Sequence, residues 1–130
     1  MRLLCDGVTE LVSARRIAVA LIVGALLGVL CIIGVGARIP GGYSNVVYLA
    51  AVWYNRVLMG LMVGLAGGII LIKSDKNKSY INAIARGLLI GLIVSSATLL
   101  LSDTILDLMG WFAGIIYGPI IDVVATATEK

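Results

Sequence analysis

Between Arg16 and Arg38 the chain runs from Ile17 to Gly36, twenty residues, without a charge. A helix of that length spans about 30 Å, the thickness of the hydrocarbon layer of a bilayer. Three more apolar runs follow, at about 53–72, 84–101 and 105–124. At about 20 residues per crossing, four crossings use most of the 130 residues and leave no room for a soluble catalytic domain. Only 13% of residues are charged, against about 25% in an average soluble domain. The expected fold is an all-α integral membrane protein, one membrane domain over 1–130 with four transmembrane helices at about 17–36, 53–72, 84–101 and 105–124.

The first run has a competing reading, because Val35-Gly36-Ala37 supplies small residues of the kind a signal peptidase cleaves after. A signal peptide's apolar core is only about 7–15 residues, however, so a retained helix is expected. The second run is continuous from Val46 to Ile72 and holds Asn55-Arg56. Counting one crossing back from Lys73 starts the helix at Trp53 and puts Arg56 one turn below the outer surface, where its stem can lift the guanidinium to water. Tyr43, Tyr48, Trp53 and Tyr54 gather at this end, as an aromatic belt does.

Lys and Arg near helix ends set orientation, since cytoplasmic segments hold the excess. With the N-terminus inside, Arg2, Arg15, Arg16, Lys73, Lys76, Lys78, Arg86 and Lys130 lie on the inner side and only Arg38 and Arg56 on the outer. Both termini are therefore expected in the cytoplasm (N-in/C-in), with the chain in the cytoplasmic membrane. Ahead of the first crossing, Leu4, Val8, Leu11 and Val12 share one helical face and Arg2, Asp6, Glu10 and Ser13 the other. A short amphipathic helix lying on the inner leaflet is expected there, with docking of a cytoplasmic partner as the alternative.

Sixteen glycines would weaken helices in water, but in lipid a small residue lets two backbones approach. Ala20, Gly24 and Gly28 mark the first helix; Gly60, Gly64 and Gly68 the second; Gly87, Gly91 and Ser95 the third; Gly110, Gly114 and Gly118 the fourth. Each set steps by four, which makes one stripe per helix and predicts helix contacts. Arg56 extends the second stripe, and Asp107 and Asp122 extend the fourth. Counted from the helix ends, Arg56 and Asp107 share one depth and Arg86 and Asp122 another, so two intramembrane ion pairs are expected. Pro119 predicts a kink, because it removes a backbone donor and crowds the carbonyl of Ile115. The segments Arg16 to Gly24 and Arg56 to Gly64 also echo each other weakly.

Chemistry is harder to find. Histidine is absent, Cys5 and Cys31 stand 26 residues apart, and no serine or cysteine has an evident base. Asp103 and Asp107 alone make a poor cation site, and Asp103 reads best as a helix cap. No catalytic residue, cofactor or metal ligand is expected. A net charge of +3, dispersed along the chain, excludes a nucleic-acid partner. The expected partners are the lipid bilayer, further copies of the chain, or other membrane subunits. Function is read as that of a non-enzymatic packing or accessory subunit, with a small channel or transporter for an ion or small solute as the alternative. An ionisable residue at mid-membrane depth would favour that alternative, and the helix bounds above place none there.

Overall fold

The computed structural model describes residues 13–72, 78–101 and 107–129. These are all-helical, with no strand among them, and include four helices long and apolar enough to cross a membrane. They are α1 (Ala14–Gly36), α2 (Val46–Leu65), α3 (Lys78–Leu101) and α4 (Leu108–Glu129). In lipid only such helices satisfy every backbone N–H and C=O within one segment. The amphipathic segment expected around Leu4 to Val12 lies outside the described residues, as does Asp103.

The helix bounds differ from those counted on hydropathy. α2 starts seven residues before Trp53, and its last turn is a tight 3-10 turn, Ala66–Gly68. Paired glycines, Gly67 and Gly68, weaken the helix there. Ile69 turns extended (φ −81°, ψ 118°), and residues 69–72 leave the helix although they are as apolar as any in the chain. Their polar groups are met by α3 instead. Asn82 accepts from the N–H of Leu71 (2.9 Å) and Ile72 (2.7 Å) and donates to the Ile72 carbonyl (3.0 Å). One turn further along α3, Arg86 donates to the carbonyls of Gly67 (3.2 Å) and Ile69 (2.9 Å). Asn82→Ala should therefore speed hydrogen exchange at the Leu71 and Ile72 amides while leaving α1 unaffected, because two donors lose their acceptor. α3 also starts earlier than residue 84. α4 starts later than 105 and runs on to Glu129.

Two antiparallel hairpins, α1–α2 and α3–α4, form the body, and α1 also lies along α4. The α1 turn ends through Gly41 and Gly42, both at positive φ (83° and 56°), where a side chain would be strained. Within the first hairpin a Cβ on Gly24 would sit 2.7 Å from the Arg56 carbonyl oxygen, and one on Gly64 2.9 Å from the Ile17 Cα. Segments 16–24 and 56–64 thus run antiparallel against each other. In the second hairpin a Cβ on Gly87 would lie 2.6 Å from the Gly118 oxygen and from Pro119, and one on Gly91 2.8 Å from the Gly114 oxygen. α4 continues through Pro119, and the Ile115 carbonyl that the proline crowds faces Gly91, 3.2 Å from where its Cβ would be. Gly28 meets Trp53, Gly110 meets the Asp107 carboxylate, and Gly68 is exposed in the 3-10 turn.

The core has two parts. Ala20, Met59, Val63, Ile90, Val94, Ile121 and Ala125 fill one end of the bundle, and Cys31, Val35, Ile39, Leu49 and Val52 the other, with Tyr117 touching both. Outward faces carry exposed apolar side chains such as Ile22, Leu26, Ile33, Leu92, Phe112 and Ile116, as lipid contact requires.

Candidate functional site: two clusters of buried arginine

Three arginines, Arg16, Arg56 and Arg86, are each at most 5% exposed. A buried guanidinium is costly unless its charge and its donors are met, so what surrounds each one defines what it can do.

At one end Asp122, on α4 and fully buried, receives two of them. Arg86 of α3 approaches with both Nε (2.7 Å to Oδ2) and a terminal nitrogen, and Arg16 of α1 donates to the Asp122 Oδ1. Arg16 also donates to the Thr126 hydroxyl (3.0 Å) and to Glu129 (3.1 Å). Glu129 balances the second cation, so the cluster holds two guanidiniums and two carboxylates. Through Arg86 it reaches the end of α2, and all four helices meet in it. By its position in the sequence Arg16 reads as a charge at a helix end. Its place four residues before Ala20, on the Ala20–Gly24–Gly28 stripe, was the signal that it faces inward. Asn82, four residues before Arg86, carried the same signal.

Arg56 lies elsewhere. With α2 beginning at Val46, Arg56 falls at the helix midpoint, its backbone level with Gly24 of α1, and not one turn below the surface. Its side chain stays buried and runs to the start of α4, donating to the Gly110 carbonyl (2.8 Å), to Asn55 Oδ1 (2.8 Å) and to Ser95 Oγ (3.2 Å). The guanidinium carbon is 5.9 Å from the Tyr117 ring centre, within cation–π range. Asn55 is held in turn by Thr98 and by the Val94 carbonyl (3.2 Å).

Asp107 is not in ion-pair contact with Arg56. It stands immediately before α4 and caps it, Oδ1 accepting from the Gly110 N–H (3.1 Å), while the half-exposed Arg38 approaches at 3.4 Å. The cap takes the carboxylate away from the arginine because α4 begins at Leu108, which makes Asp107 the residue next to the unsatisfied N–H groups.

Arg56 and Asp107 nevertheless line one small, half-open cavity of about 20 Å³, together with Tyr48, Asn55, Ser95, Thr98 and Trp111. A wider groove of about 320 Å³, mostly apolar, opens between α2 and α3 and shares Tyr48, Asn55 and Thr98 with it. Among the described residues no three His, Cys, Asp or Glu converge as metal ligands. No family model, curated protein or solved structure matches the chain.

Proposed function

We propose that the chain is a non-enzymatic multi-pass protein of the cytoplasmic membrane, a four-helix packing unit that serves as an accessory subunit or assembles with its own copies. One observation carries this reading: most of the interior polar groups, and the small-residue stripes, are spent on neighbouring helices. Gly24, Gly28, Gly60, Gly64, Gly87, Gly91, Gly114 and Gly118 act as packing residues, and Arg86 with Asp122 as an intramembrane ion pair. Because those stripes are turned inward, contacts with another subunit would use lipid-facing surfaces such as the Ile22, Leu26 and Ile33 face of α1. Both termini are cytoplasmic, on the strength of the Lys and Arg distribution, with the N-terminal segment lying on the inner leaflet.

Native mass measurement after polymer extraction from the source membrane tests the assembly. The expected particle exceeds the 13.6 kDa protomer by a stoichiometric partner or copy; a lone protomer at every concentration would overturn it. A cysteine placed at Asn77 should be shielded from impermeant reagent in intact cells, and labelling from outside would invert the topology.

A small channel or transporter is the second reading, favoured by the position of Arg56. An ionisable residue at the middle of a membrane helix commonly marks a solute pathway.

A further inference from the structure

We propose that the cavity beside Arg56 is a binding site for a single monatomic anion of halide size. The argument starts from charge. One guanidinium, Arg56, and one carboxylate, Asp107, line this cavity, and Asp107 is occupied by its cap and by Arg38, which stands outside the lining. Arg56 is only 4% exposed, and none of the ion pairs among the described residues includes it. Asn55, Ser95 and the Gly110 carbonyl satisfy its terminal donors but bring no negative charge.

Its Nε–H is buried and has no acceptor. Two hydroxyl-bearing side chains, Tyr48 and Ser95, line the same cavity, and the Ser95 oxygen already accepts from Arg56. A free N–H on a cationic group, with hydroxyls beside it in one cavity, is what an anion recognises. Volume then limits the ligand. About 20 Å³ admits roughly one water-sized species, which excludes phosphate and carboxylates and leaves a monatomic ion. A water would satisfy the Nε–H but would leave the buried charge uncompensated, and that difference selects the anion. The Asp107 carboxylate in the same lining weakens binding without preventing it, since Arg38 offsets its charge.

The site can be tested on the purified full-length chain in chloride, bromide and gluconate at one ionic strength. Thermal stability should be higher in the two halides than in gluconate. Trp111 lines the cavity, so bromide should quench tryptophan fluorescence with a saturable component. Tyr48→Phe should raise the half-saturating bromide concentration about tenfold by removing one donor to a charged ligand. Asp107→Asn should lower it, because the repulsion goes while asparagine still caps the helix. Arg56→Met should abolish saturation, and if that variant does not fold, the opposite signs of the other two carry the test. Equal stability in all three salts with purely linear quenching would mean that the cavity holds water. Half-saturation unmoved by both Tyr48→Phe and Asp107→Asn would place any halide effect elsewhere; either result overturns the proposal.

Discussion

Asp122→Asn is expected to be the most damaging single substitution in this chain. The carboxylate is fully buried and bridges Arg16 and Arg86, themselves 1% and 5% exposed. Removing one member of a buried ion cluster leaves the other charges without compensation, at a cost of about 3–5 kcal/mol. Here the loss strands Arg86, because Glu129 reaches only Arg16. Arg86 would also loosen its hold on the carbonyls of Gly67 and Ile69, so the end of α2 should fray together with the cluster. Unfolding in mixed micelles measures the first effect, and hydrogen exchange over residues 66–72 the second. Adding Arg16→Met and Arg86→Met to the same chain should recover part of the stability, since the resulting Asn–Met–Met trio has no charge to desolvate. If Asp122→Asn alone unfolds like the wild type, the cluster is open to water and the account of it fails.

Gly87→Leu should rank next. The atoms that a side chain at Gly87 would meet, the Gly118 carbonyl and Pro119, are backbone and cannot swing aside. α3 and α4 must separate, and overpacking of this kind costs about 1–3 kcal/mol. Gly64→Leu should behave alike, because it meets the Ile17 Cα. Gly114→Ala should cost stability as well, since a side chain there would meet the Ser95 hydroxyl and Cβ and a terminal nitrogen of Arg56. Gly68→Ala, in an exposed position, should be nearly neutral. Melting temperatures in one lipid nanodisc would give the order, and a flat series would show that these stripes do not set the helix spacing.

The number and nature of the long helices follow from the sequence alone, because hydropathy over about 20 residues and the need to pair every backbone group in lipid are both local. The four-residue spacing of Gly24 and Gly28, or Gly87 and Gly91, was legible for the same reason: it is a property of one helix. Local rules failed where a partner mattered. Ile69 to Ile72 are apolar enough to continue α2, yet Asn82 and Arg86 on another helix supply the bonds that let this backbone leave the helix. That moved α2 toward its N-terminal side and brought Arg56 to the helix midpoint. With α4 read from about residue 105, Asp107 falls inside the helix and is expected to pair with Arg56; with the helix starting at Leu108, Asp107 is its cap instead. Arg16 was counted as a charge at the membrane surface, and only the arrival of Asp122 from a helix more than 100 residues later turns it inward. What the sequence determined by itself is therefore the set of helices and the face each one offers. Which faces meet, and which charge answers which, was decided by the tertiary structure, because a buried charge is stabilised by atoms that are near in space and distant along the chain.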